Sequence, residues 1–214
     1  GLRELSKWEQ GVIFIGNTEK DSQELDIAQD LFSDITAKGI PVRVGSRGVL
    51  LNSMFETAEK NNKMDLMQAN LLVAEASPLT DTEKRIKNLI VTRDISNHHV
   101  IVMENSKAFV FLPGGVKTMN RLFDLITMMQ TKKAPTKPIV LIGRDFWQPI
   151  KDAIFNATQS YSPPLIKPQD AELVQIVDTK EEALTILSPV LGIPAQAEYT
   201  KKAEEALRIS PAES

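Results

Sequence analysis

The chain has no cysteine. Disulfides, thiolate metal sites and cysteine nucleophiles are therefore excluded, and a reducing, cytoplasmic setting is the expectation. Histidine is almost as scarce: His98 and His99 are the two present. A metal site needs more ligands at matched spacing, and no HExxH-like pattern supplies them. The residues therefore point to no metal and no cofactor, and to histidines that are exposed or cap a helix. Long apolar runs are also missing. None reaches the roughly 18 residues of a membrane span, and the N-terminal GLRELSKWEQ lacks a signal-peptide core, so no membrane partner is expected. Basic excess is absent as well: 25 Lys and Arg against 28 Asp and Glu give a net charge of -3. That balance offers no global field for nucleic acid.

What the chain does have is alternation. Short apolar runs separate longer helical patterns, the mark of βαβ units around a mainly parallel sheet. In 214 residues, 42% of them hydrophobic, this predicts one α/β domain over 1–190 with a polar helical tail over 191–214. Strands are expected at 11–17, 41–44, 69–76, 88–94, 108–112, 138–143 and 172–178. Helices are expected at 22–37 with Ser22 as N-cap and Gly39 as stop, then at 49–61, 95–106, 117–130, 147–159 and 180–187. Thr179 and Glu182 form a capping-box pair ahead of the last helix. The polar segment PLTDTEKRIK joins two strands, and the stretch around Pro163, Pro164 and Pro168 is a loop.

The segment LPGGVKTMNRLFD, 112–124, follows the buried run AFVF and looks at first like a nucleotide-binding loop. A P-loop requires Gly directly before Lys and another five residues earlier. Val116 and Phe111 stand at those positions, so that reading fails. A different anion site survives. Pro113, Gly114 and Gly115 connect a strand to a helix whose N-terminus offers free N–H groups and partial positive charge. Thr118 can cap that helix and give a hydroxyl to a phosphate oxygen. The alternative is a tight turn whose glycines satisfy geometry alone, and the residues by themselves leave both open.

With PGG and a following Thr on a helix, the chain resembles the Lonely Guy family, historically labelled lysine-decarboxylase-like, whose signature is PGGxGTxxE. GVIFIGN, VGSRGVL, NLIVTRDI and IVDTKEEALTIL have similar counterparts there, so the resemblance spans about 11–187. It implies a Rossmann-like three-layer sandwich, a homodimer, and hydrolysis of the N-glycosidic bond of a nucleoside 5'-monophosphate. It also implies that Pro113, Gly114, Gly115, Lys117 and Thr118, with Gly45, Ser46 and Gly48 of the earlier turn, hold a phosphate. The match is partial. Lys117 replaces the second-loop Gly, Arg121 replaces the signature Glu, and His98 falls where the family has Arg. A guanidinium accepts no proton, and losing an acid/base group typically lowers a rate ~10²–10⁴-fold.

Three readings follow. The chain is a catalytically impaired relative that binds a nucleotide or other phosphorylated small molecule. Alternatively it is an active phosphoribohydrolase using a shifted carboxylate, with Asp124 the candidate. Or it is an interaction module with a vestigial pocket. Asp124 also reads as a surface partner of Arg121, while Glu75, Asp94 and Glu104 carry no distinctive spacing. Arg47, His98, Lys117 and Arg121 together read as a cationic pocket mouth. On the helix after PGG, Leu122, Phe123, Ile126 and Met129 have core spacing, and Leu125 and Met128 form an adjoining stripe open to a dimer interface.

Overall fold

All five residues of GVIFI are buried, as expected for a strand covered on both faces. In a computed structural model of the chain this strand, β1 (Gly11–Ile15), lies at the centre of the fold. The structure describes residues 8–72, 77–103 and 106–193. Among them, seven strands form one sheet in the order β4-β3-β2-β1-β5-β6-β7, and every neighbouring pair is parallel. The others are β2 (Val42–Val44), β3 (Met67–Leu72), β4 (Asn88–Thr92), β5 (Ser106–Phe111), β6 (Ile139–Ile142) and β7 (Val174–Val177).

Helices α1 (Gln23–Ala37), α2 (Val49–Lys60) and α7 (Lys180–Leu191) cover one face of the sheet. The other face is covered by α4 (Ile95–Met103), α5 (Val116–Gln130) and α6 (Arg144–Lys151), while α3 (Asp81–Lys84) is a single turn before β4. The result is a Rossmann-like three-layer α/β sandwich with a core on each side of the sheet. Among the described residues no helix is long and apolar enough to cross a membrane.

Local signals act as expected in several places. Ser22 accepts the Leu25 N–H at 3.2 Å, and Leu25, Ala28, Leu31, Phe32 and Ile35 are the buried face of α1. Gly39 ends that helix with φ +77°. Other expectations need correction. The Thr179 hydroxyl accepts the Glu182 N–H, but the Glu182 carboxylate turns back to the Asp178 N–H at 2.8 Å, so the cap is not reciprocal. Helix α7 continues past residue 187 to Leu191. The polar segment before β4 contains α3, whose true capping box joins Thr80 and Glu83. Leu125 is a core residue at 2% exposure, because α5 buries Leu122, Leu125, Ile126 and Met129 together. Met128 is half-buried. The predicted tail, Glu75 and Glu104 lie outside the described residues.

Candidate functional site

The chain builds β1 to β4 outward from the centre, then returns to place β5 on the other side of β1. The order therefore reverses between β1 and β5, and in open parallel sheets a crevice forms at the C-terminal ends of such strands. Here the two strands are held tightly to their last residues. Leu112 N–H donates to Ile15 O at 2.9 Å and Asn17 N–H donates to Pro113 O at 3.0 Å. Above this junction opens a cleft of about 350 Å³, lined by Gly16, Asn17, Gly45, Ser46, Arg47, Leu72, Gly115, Val116, Lys117, Thr118 and Arg121.

The turn into α5 has distinct uses for its two glycines. A Cβ on Gly114 would lie 2.2 Å from Thr118 Oγ1 and 2.8 Å from Thr118 Cβ, so the turn packs directly on the helix. Gly114→Ala should therefore lower stability by roughly 1–3 kcal/mol through overpacking, read as a lower urea midpoint; an unchanged midpoint would show a turn loose enough to move aside. A Cβ on Gly115 would meet nothing within 4 Å, so the fold does not require glycine there. Its bareness leaves the start of α5 open to approach.

Gly115, not Thr118, is the N-cap of α5, and no side chain caps it. Thr118 is the third helical residue and lines the cleft. The first turn carries no acidic residue, and Lys117 stands in it. A cation at a helix N-terminus opposes the dipole, so this end is poorly satisfied from within the chain. The Val116 and Lys117 N–H groups have no intrahelical acceptor at these positions.

Beneath them lies Arg121, 8% exposed. Its Nη1 donates to Gly45 O and, at 3.3 Å, to Ser46 Oγ, while Nη2 donates to His98 Nε2 at 2.5 Å. His98 Nδ1 is 3.0 Å from Thr92 Oγ1, which itself donates to Leu71 O at 3.2 Å. A hydroxyl has one proton, so His98 is neutral with its hydrogen on Nδ1 and accepts from Arg121 at Nε2. Burial first, then the Arg121 and His99 charges, push the His98 pKa down to about 3. Burial also lowers Arg121 to about 10, which leaves it protonated at neutral pH. No carboxylate pairs with Arg121 among the described residues. Ser46 Oγ accepts both Arg121 and, at 3.1 Å, the Gly16 N–H. Its lone pairs are occupied, so its proton is left to donate.

Arg47 is held differently. Nε and Nη2 reach Glu83 Oε1 and Oε2 at 2.5 and 2.7 Å, and further bonds run to Ser77 Oγ and Pro78 O. Burial alone would raise the Glu83 pKa, but the hydrogen bonds from Arg47 and Thr80 outweigh it and the carboxyl titrates below its usual range. Arg47 is raised by the same pair, and its charge is neutralised where it lies.

The expected cationic mouth is thus corrected. His98 is fully buried and uncharged rather than exposed, Arg121 forms the floor, and Arg47 is paired; Lys117 is the exposed cation. Of the predicted phosphate residues, Gly45, Ser46, Gly115, Lys117 and Thr118 line the cleft. Gly48, Pro113 and Gly114 shape it from behind: Gly48 starts α2 at φ +88° and Pro113 O anchors Asn17. Asp124 is bound to His99 Nδ1 across α4 and α5, not to Arg121, and does not line the cleft. Asp94 accepts the Asn97 N–H at 2.8 Å at the start of α4. Gly16, Asn17, Leu72 and Val116 were missed as lining residues; the glycine ending the first strand was the available signal for the first two. Among the described residues no three His, Asp or Glu side chains group as a metal site would need.

A family model described as possible lysine decarboxylase matches residues 46–187, from the Ser46 turn to the last helix. No curated protein matches the chain significantly. Among solved structures, the molybdenum cofactor binding protein of the phototrophic bacterium Rippkaea orientalis is similar at TM-score 0.60 and 15% identity, covering 86% of this chain and 99% of that one. The Moco carrier protein of Chlamydomonas reinhardtii is similar at TM-score 0.53 and 17% identity, with coverage of 86% and 99%. At such identities the likeness is one of fold.

Proposed function

The chain belongs to the Lonely Guy, or possible lysine decarboxylase, family, and on that premise we propose that it binds a nucleotide or other phosphorylated small molecule without cleaving it. The observation that carries this reading is Arg121: a buried, charged guanidinium lining the cleft with no carboxylate beside it among the described residues. Buried charges are ordinarily paired, and an anion in the cleft would supply the missing partner. The open start of α5, the Ser46 proton and the Thr118 hydroxyl are donors suited to phosphate oxygens. Catalysis is the weaker reading because no carboxylate stands among the cleft's described lining residues, and Asp124 is committed to His99. Binding without turnover also suits a fold shared with a cofactor-binding protein and a cofactor carrier, although fold alone does not assign function. The homodimer implied by the family would find exposed Val91, Ile95 and Val100 on β4 and α4.

The test is to incubate the protein with AMP, GMP, CMP and UMP, assay free base, and follow melting with the same nucleotides, ribose 5-phosphate and the molybdenum cofactor as a cargo. No base should be released. A ligand at about a hundred times its Kd adds ~2.7 kcal/mol, roughly 5–10 °C for a chain of this size. Base release abolished by Asp124→Ala or Glu75→Gln would overturn the reading in favour of an enzyme. Melting unmoved by every ligand would make the pocket vestigial.

A further inference from the structure

The two unsatisfied features of the cleft lie at different depths. At the mouth, Val116 is 86% exposed and the free N–H groups of the 15-residue α5 open beside Lys117. At the floor, Arg121 is 8% exposed and branches from α5 four to five residues further on, about 6–7.5 Å along the axis. A guanidinium carries five N–H donors in a fixed fork. Three reach Gly45 O, Ser46 Oγ and His98 Nε2. The remaining two, Nε–H and one Nη2–H, have no partner among the described residues. His98 cannot relieve the charge, since it is neutral and already accepts. With Arg47 neutralised by Glu83, the described lining holds two uncompensated cations, Lys117 above and Arg121 below. The cleft, at about 350 Å³, is also far larger than one tetrahedral anion requires.

Resting on the binding reading above, we infer that the ligand carries two oxyanions. A phosphate sits at the mouth on the α5 N-terminus, and a second carboxylate or phosphate, deeper in the cleft, meets the unpaired donors of Arg121 at the floor. The cleft thereby favours phosphorylated carboxylates and diphosphates over simple phosphate monoesters, whose hydroxyls give Arg121 uncharged acceptors and leave its charge uncompensated. A carboxylate or phosphate in that position makes charge-assisted, paired hydrogen bonds to the planar fork.

Calorimetric titration of the whole chain at constant ionic strength tests this with two matched comparisons. 3-Phosphoglycerate is set against glycerol 3-phosphate, and pyrophosphate against inorganic phosphate; the first reads a carboxylate at the floor and the second a phosphate. At least one two-anion ligand should bind ten-fold or more tightly than its match. Arg121→Gln should bring that ratio close to one, and Arg121→Lys should recover part of it. Should Arg121→Gln not fold, the ratio in the unaltered protein still decides. Monoesters that bind as tightly as their two-anion counterparts would overturn this inference and leave the binding reading standing. Failure of every phosphorylated compound to bind would remove both. A ratio unchanged in folded Arg121→Gln would place the second anion elsewhere and overturn the assignment to Arg121.

Discussion

Acidification from pH 7 to pH 4 is expected to destabilise the protein by about 3 kcal/mol through His98 alone. The folded state holds this side chain at a pKa of about 3, against 6.5 for a free histidine. Between those values the unfolded chain takes up a proton that the folded chain refuses, so protons favour unfolding. The His98 contribution is fully present above pH 6.5 and is lost as pH falls toward 3, at ~1.4 kcal/mol per unit. Burial is the leading cause, and the neighbouring Arg121 charge makes protonation costlier still. Carboxylates elsewhere also titrate in this range, so the measurement must isolate one residue. His98→Gln provides that, because Gln can accept from Arg121 but does not titrate. Urea midpoints at pH 7, 6, 5 and 4 should fall more steeply for the unaltered protein, which loses about 3 kcal/mol relative to His98→Gln over the series. A difference that stays constant over the series would mean that His98 is not held neutral.

Much of the fold could be read from local pattern because the strands are continuous apolar runs and the helices have one buried stripe. GVIFI and AFVF are too short for helices and wholly apolar, and they became the adjacent central strands β1 and β5. The reversal between them cannot be read from either run. It depends on which strands pair, a long-range property, and that pairing brings Gly16, Asn17 and Leu72 to a cleft built mainly from the two glycine turns. Errors at the site share one cause: the partner of each charged side chain lies far away in sequence. Arg47 meets Glu83 and Ser77, 36 and 30 residues on. Arg121 meets Gly45, 76 residues back. His98 reads as polar by type, but α4 turns it inward onto Thr92, where burial first and then the Arg121 charge keep it neutral. The α3 turn was readable in principle, since Thr80 and Glu83 have capping-box spacing, but four helical residues leave no periodicity to notice.

Replacing Arg121 with methionine is expected to change stability by no more than about 1–2 kcal/mol while weakening a phosphorylated ligand on the order of 100-fold. Two opposing effects set the first figure. Burial lowers the Arg121 pKa from 12.5 to about 10, so holding the charge there costs roughly 3 kcal/mol that methionine would not incur. Against this, the variant loses three hydrogen bonds. Gly45 and Ser46 border the cleft, where water can replace the guanidinium. His98 Nε2 would be stranded in the interior at a cost of about 1–3 kcal/mol. The methionine chain keeps most of the apolar packing of the arginine stem, so the sum is near zero. Binding has no such offset, since charge-assisted hydrogen bonds contribute about 1.5–3 kcal/mol and nothing else at the floor is cationic. Urea unfolding and titration on the same preparations separate the two effects. A loss of several kcal/mol in stability would make Arg121 a strut that holds the Gly45–Ser46 turn for the fold's sake. Unchanged affinity would remove it from the site. A residue that adds little to the folded state, and is missed by the ligand when it is gone, is one whose place is explained by what enters the cleft.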